Sequence, residues 1–203
     1  MCAPAALLIS VQLILFLMPM REFICIEVSD PCVFEELYSS RLFSDRCVSD
    51  ARTAGLHATL HFLGETDETA NEGIIRLLDA TASSHRQFTI SFNGSGAFPA
   101  ARRPAVIWAG ISDNEELREI HRELGEGLGA LGIHVEGRAY KPHVTLARVR
   151  CGPDMTALDS FFTQWGDRRI GLGEVSAIYL KQSILSPSGA THRTIHASAL
   201  CSR

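Results

Sequence analysis

Leu56-His57-Ala58-Thr59-Leu60-His61-Phe62-Leu63-Gly64 and Pro142-His143-Val144-Thr145-Leu146-Ala147-Arg148 both carry His-x-Thr-Leu. Successive side chains of an extended strand alternate between faces, so His57 and Thr59 point one way while Leu56, Ala58, Leu60 and Phe62 point the other. The second stretch repeats the pattern, with His143 and Thr145 on one face and Val144 and Leu146 on the opposite one. Two strands that each bury an apolar row and display an imidazole beside a hydroxyl predict a common cleft lined from opposite walls.

Working outward, Phe23, Ile24, Ile26 and Val28 read as a first strand that stops at Asp30-Pro31, a cap followed by a first-turn proline. Phe34, Leu37, Tyr38 and Leu42 then fall at helical spacing, and residues 44–55 read as a polar loop. Asp67 caps a second helix with Ala70, Ile74, Leu77, Leu78 and Thr81 on one face. Phe88, Ile90 and Phe92 alternate with polar residues as a half-buried strand. A Gly- and Pro-rich stretch, 94–104, leads from it to a strand over 105–111. Ser112-Asp113 opens a helix with Leu117, Ile120, Leu124, Leu128 and Leu131 on one face, ended by Gly132. Beyond the second His-x-Thr strand, Leu158, Phe161, Phe162 and Trp165 mark a helix ending at Gly166. Two strands, 175–185 and 194–200, close the chain around the turn at 186–189.

In each half a strand and a helix precede the His-x-Thr strand and a helix follows it. This element order predicts an α+β fold of two pseudo-symmetric lobes, with antiparallel sheets flanking a central cleft and helices on the outer faces. The expected organisation is an apolar N-terminal extension over 1–19 and a single two-lobed domain over 20–203. The extension lacks the basic residues and small-x-small site of a secretory signal, and its apolar run is short for a membrane span. We favour Met20 as an alternative initiator, with a cleaved signal or an anchor as the other readings.

The 203 residues are 46% apolar and 21% charged with a formal net charge of -4, ample for a core and unsuited to gripping long duplex nucleic acid through its phosphates. The six cysteines show no Cys-x-x-Cys pair, so we expect reduced thiols in a cytoplasmic protein, without a membrane partner and monomeric.

Histidine titrates near neutral pH, so two copies facing one phosphorus supply an acid and a base, and a threonine two residues on can donate to a non-bridging oxygen. No cofactor and no metal are called for. A single His-x-Thr-Leu is ordinarily a strand-edge histidine, and only the repetition in matching strand positions lifts the pair above that. His57 and His61 have a ligand spacing suited to a helix but would stand about 13 Å apart on a strand, so a zinc site is not expected. His192-Arg193-Thr194 lacks apolar flanks and a partner half, and reads as a decoy. Arg102 and Arg103 read equally as RNA-backbone contacts or a solvated loop, while His85, His121 and His134 need no functional explanation.

These blocks resemble the two-histidine phosphoesterase superfamily, and most closely its RNA 2',3'-cyclic phosphodiesterase branch, historically called 2'-5' RNA ligases. The carriers are Met20-Arg21-Glu22-Phe23, residues 56–65, Gly96-Ala97-Phe98-Pro99 with Arg102-Arg103-Pro104, residues 141–148, and the turn at 183–189. The resemblance implies hydrolysis of 2',3'-cyclic phosphate ends of RNA or nucleotides to 2'-phosphates. It makes His57 the general acid toward the leaving 3' oxygen and His143 the base toward water, with Thr59, Thr145 and Arg148 on the phosphate. Strict alternation turns Arg148 away from His143, so that role requires a twist or bulge in the strand. The rival functions are 2'-5' ligation on the same site, a binding module without turnover, and another cyclic or 2'-5' substrate.

Overall fold

The computed structural model describes residues 20–135, 139–186 and 189–202. The expectations for residues 1–19 and for the centre of the closing turn lie outside them. Nine strands form two wholly antiparallel sheets among these residues. They are β1 (Met20–Glu27), β2 (Val48–Asp50), β3 (His57–Thr66), β4 (Phe88–Ala100), β5 (Arg103–Ile111), β6 (His143–Val149), β7 (Arg169–Val175), β8 (Ala177–Ser186) and β9 (Gly189–Ala199). One sheet runs β3-β1-β8-β9 and the other β2-β6-β5-β4-β7. Setting β2 aside, the two orders correspond strand for strand, with each His-x-Thr strand at one end beside the strand that precedes it. The predicted two-lobed α+β architecture is the observed one.

Among the described residues the α-helices are a single turn, α1 (Glu35–Tyr38), and three longer ones, α2 (Glu68–Ser84), α3 (Glu115–Ala130) and α4 (Met155–Trp165). Each long helix begins where a side chain accepts from its first-turn amides: Asp67 from the Ala70 N–H at 2.8 Å, Asn114 from Leu117 at 2.9 Å, and Asp154 from Thr156 at 2.9 Å. Their apolar stripes feed one continuous core, in which Ile74, Leu78, Leu117, Ile120, Leu124, Leu128, Leu158, Phe161 and Trp165 are buried. Leu131, expected on the α3 stripe, lies just past the helix and is exposed.

Several local expectations are corrected. The Phe34–Leu42 stripe is broken into two 3-10 turns, Pro31–Phe34 and Arg41–Ser44, around α1, because the Asp30 and Ser40 side chains each restart the chain as caps. Its apolar residues are buried all the same. The polar loop at 44–55 contains β2, and the Gly- and Pro-rich stretch is mostly the continuation of β4 into a hairpin with β5. The strand β7 carries glycines on its inner face, where Val33 and Phe92 press against Gly171 and Gly173. Cys47 and Cys151 are not free thiols: they form a disulfide with Cα atoms 5.1 Å apart, just outside the paired ends of β2 and β6. That bond removes the cysteine argument for a reducing compartment. Cys25, Cys32 and Cys201 are free. Among the described residues, no helix is long and apolar enough to cross a membrane.

Candidate active site

β3 and β6 face each other across a cavity of about 790 Å³. His57, Thr59, His143, Thr145 and Arg148 all line it, so the five residues singled out from the sequence come together. Each histidine opens its strand, and each is held in the same way. His57 Nδ1 lies 2.8 Å from the Gly55 carbonyl and His143 Nδ1 2.7 Å from the Lys141 carbonyl. A carbonyl only accepts, so Nδ1 carries the proton in both rings and each Nε2 is left to take or give one. Gly55 turns at φ +84°, a conformation that glycine adopts without strain, to present that carbonyl.

The same irregularity occurs after both threonines. On β3, Cys25 pairs with Thr59 and Ile24 with His61, so Leu60 is the extra residue of a bulge. On β6, Trp108 pairs with Thr145 and Ile107 with Ala147, so Leu146 is the extra residue. The bulge buries two consecutive side chains in each strand, Leu60 with His61 and Leu146 with Ala147, and hands the next residue to the cleft. Arg148 reaches the cavity by this device. The free carbonyl of Leu146 is satisfied twice, by the Tyr38 hydroxyl at 3.0 Å and the Ala51 N–H at 2.9 Å.

The β3 bulge also corrects the expected facing of Phe62. Its ring lies on the cavity wall, 63% exposed, where alternation had placed it in the core. Leaving such a ring in water forgoes about 1.5–3 kcal/mol of burial. His61 points away from His57 and its Nε2 sits 2.8 Å from the His121 carbonyl, a packing role instead of a metal-binding one. Among the described residues, no group of three or more His, Cys, Asp or Glu side chains is placed to hold a metal ion.

The two catalytic candidates have different surroundings. His57 packs against Phe23 and His192, each ring centroid 5.0 Å away. Burial depresses its pKa, with the Lys181 and Arg148 charges adding to the effect, while the Gly55 carbonyl and Glu27 oppose it. His143 packs edge-on against Phe98 at 5.1 Å and near Trp108 at 6.1 Å. Gly96 is what lets Trp108 lie there, since a Cβ at that position would fall inside the indole.

His192, read from the sequence as a decoy, is in fact a wall of the same cavity. Pairing of β8 with β9 sets it opposite Ser183, and burial lowers its pKa to about 4, so it stays neutral at pH 7. Nothing near His192 in sequence signals this, because two strand registers place it. Arg21, Ser49, Asp50, Glu65 and Arg150 also line the cavity and were not singled out. Arg102 and Arg103 sit exposed at the β4–β5 hairpin, outside that lining.

With this geometry in view, the comparisons with known proteins are specific. The family model described as 2'-5' RNA ligase superfamily matches residues 39–180. A protein of Aeropyrum pernix named RNA 2',3'-cyclic phosphodiesterase is 38% identical over 141 residues, which cover 69% of this chain and 79% of the relative. One of Archaeoglobus fulgidus with the same name is 31% identical over 180 residues, covering 87% of this chain and 98% of the relative. Among solved structures, TT0787 of Thermus thermophilus superposes with a TM-score of 0.74 at 24% identity, covering 89% of this chain and 98% of that one. Apo LigT of E. coli superposes with a TM-score of 0.68 at 20% identity, covering 90% and 98%. At these identities the structural likenesses speak for the fold.

Proposed function

The chain belongs to the 2'-5' RNA ligase superfamily, and from that premise we propose that it is an RNA 2',3'-cyclic phosphodiesterase acting through His57 and His143. The observation that carries this reading is the equivalence of the two histidines. Each opens a corresponding strand, each has its Nδ1 tied to the carbonyl two residues back, and both line one cavity.

Water attacks the phosphorus in line with the bond to the 3' oxygen. One imidazole takes the water proton at Nε2, and the other gives its Nε2 proton to the departing 3' oxygen. The new P–O bond comes from water, the broken one is to the 3' oxygen, and the product is a 2'-phosphate. Following the family resemblance, His57 is the acid and His143 the base. Thr59 and Thr145 donate hydroxyl hydrogen bonds to non-bridging oxygens, and Arg148 pairs with the charge that grows there. The reaction asks for no metal. Ligation of a 5'-hydroxyl end is the same displacement with that hydroxyl in place of water as the nucleophile, and a large excess of water favours hydrolysis.

The test is turnover of a short RNA ending in a 2',3'-cyclic phosphate, with EDTA present and the product identified by phosphorus NMR. The expected result is a 2'-phosphate from the wild type, with about 10²- to 10⁴-fold lower rates for His57→Ala and for His143→Ala. A wild type that leaves the cyclic phosphate intact, or variants that match its rate, sinks the reading.

A further inference from the structure

Resting on that reading of the cleft, we propose that His121 is a positioning residue for His143. As the middle ring of a three-ring stack, it ties the strand of the first motif to the segment that presents the second imidazole.

The stack runs His61, His121, Tyr140. The rings of His61 and His121 lie 4.2 Å apart between centroids with 21° between their planes, and those of His121 and Tyr140 lie 3.9 Å apart with 14°. None of the three lines the cavity between the histidines. The two ends nevertheless belong to the two halves of the site. His61 sits on β3, turned toward α3 by the bulge at Leu60, and its Nε2 lies 2.8 Å from the His121 carbonyl. The helix approaches closely at Gly125, where a Cβ would stand 3.3 Å from the His61 ring. Tyr140 immediately precedes Lys141, whose carbonyl holds His143 Nδ1.

The two motifs are alike on one side of the carbonyl that anchors the histidine and differ on the other. The residue before each histidine is fixed in the same way: the Leu56 carbonyl accepts from the Val28 N–H and the Pro142 carbonyl from the Ile111 N–H, each at 3.0 Å. Upstream of His57, the Gly55 N–H closes a 3-10 turn over Arg52–Ala54 by donating to the Arg52 carbonyl at 3.1 Å. Upstream of His143, residues 139–142 lie in neither helix, strand nor turn. There the Tyr140 ring, packed on His121, takes the place of the turn. Among the described residues its buried hydroxyl finds no hydrogen-bond partner, so contact between ring faces is what holds the side chain. Burial, with His61 beside it, lowers the His121 pKa to about 4, so the middle ring is neutral at the pH of catalysis and a phenyl ring is a fair substitute for it.

Without the middle ring, Tyr140 loses its support and the Lys141 peptide keeps only the restraint at Pro142. A carbonyl that wanders no longer selects the Nδ1–H tautomer of His143, and Nε2 is no longer reliably free to take a proton. Misplacing a reacting group by about 1 Å costs up to about 10²-fold in rate.

The test combines steady-state kinetics on the cyclic-phosphate RNA with nitrogen-15 NMR of the imidazoles at about pH 8, where ordinary histidines are neutral and two-bond couplings report the tautomer. The proteins are the full chain and its His121→Ala, His121→Phe, Tyr140→Leu and Leu128→Ala variants. Leu128 is buried about 10 Å further along α3, so its truncation destabilises the same helix away from the stack. In the wild type both His57 and His143 should carry the proton on Nδ1. His121→Ala should turn His143 into a mixture of tautomers and leave His57 unchanged, with kcat about 10- to 100-fold lower and KM within about 3-fold. Tyr140→Leu should repeat both losses, which keeps the test open if His121→Ala does not fold. His121→Phe should restore the tautomer and bring kcat to within about 3-fold of the wild type, and Leu128→Ala should keep both despite its lower stability. A His143 tautomer and kcat that survive loss of either ring, a His121→Phe as impaired as His121→Ala, or a Leu128→Ala that reproduces the losses overturns the proposal. The tautomer needs no turnover to be read. If the wild type leaves cyclic phosphates uncleaved while the His143 tautomer still follows the stack, the hydrolase reading falls and the positioning role stands.

Discussion

His57 meets the cleft with Nδ1 already hydrogen-bonded and Nε2 set in a partly desolvated pocket of Phe23 and His192. Burial lowers its pKa, so in the free enzyme the proton of a general acid at this position is lost below the ordinary histidine value of about 6.5. The sign follows directly. If His57 is the acid, kcat/KM falls as pH rises through that depressed pKa, placing the alkaline limb below about 6.5. A bound phosphodiester brings negative charge beside the ring and favours its protonated form, so the alkaline limb of kcat should lie at higher pH than that of kcat/KM. His192, with a pKa near 4, does not itself titrate in this window. His192→Ala would admit water beside His57 and move the kcat/KM limb upward. Steady-state rates from pH 4.5 to 9 check this, and a kcat/KM that climbs through the His57 pKa exchanges the acid and the base. The histidines and threonines were legible because they open their strands, before any irregularity enters. Phe62 and Arg148 were not assignable by alternation, since nothing in Thr-Leu-His-Phe or Thr-Leu-Ala-Arg announces a bulge.

At the scale of the element, the β6 bulge makes the site depend on α1. The Leu146 carbonyl that the bulge frees is held by Tyr38, whose ring lies beneath the Arg52 guanidinium at 4.1 Å, and by the Ala51 amide. Tyr38→Phe removes one of the two donors and leaves the packing. It should lower stability by about 0.5–1.5 kcal/mol, measured by urea denaturation. It should also raise KM by a few-fold as Arg148 loses its fixed direction. Arg148→Ala should cost about 1.5–3 kcal/mol of transition-state stabilisation, the worth of hydrogen bonds to a charged group, read as kcat/KM. If Tyr38→Phe changes KM as much in an Arg148→Ala background as in the wild type, the link between them is refuted. The long helices were readable because caps and a 3.6-residue stripe are local signals. The strand β2 has three residues, too few for a pattern, and β7 replaces inner-face side chains with Gly171 and Gly173. Their membership in a sheet is decided by neighbours distant in sequence.

Across the whole molecule, the two sequence halves do not build separate lobes. The strand β2, from the first half, edges the sheet of the second His-x-Thr strand, while β8 and β9 at the end of the chain complete the sheet of the first. The symmetry legible in element order therefore conceals an exchange of strands that only long-range pairing reveals. The Cys47–Cys151 bond fastens one of these exchanges and closes a sequence separation of 104 residues. Beside it, the Arg150 N–H already donates to the Cys47 carbonyl at 2.8 Å, so the local backbone pairing does not depend on the covalent bond. Its main effect should fall on the unfolded chain, whose freedom a long cross-link restricts. A Cys47→Ala/Cys151→Ala variant should lose about 2–4 kcal/mol of stability and some 5–15 °C in Tm, with kcat/KM at 25 °C changed by less than about 3-fold. Reductant should lower the wild-type Tm by a similar amount and leave the variant unmoved, which separates the disulfide from the volume lost at the two sulfurs. Equal melting of oxidised and reduced wild type, or two free thiols at these positions under non-reducing mass spectrometry, would show that β2 is held by its hydrogen bonds and packing alone.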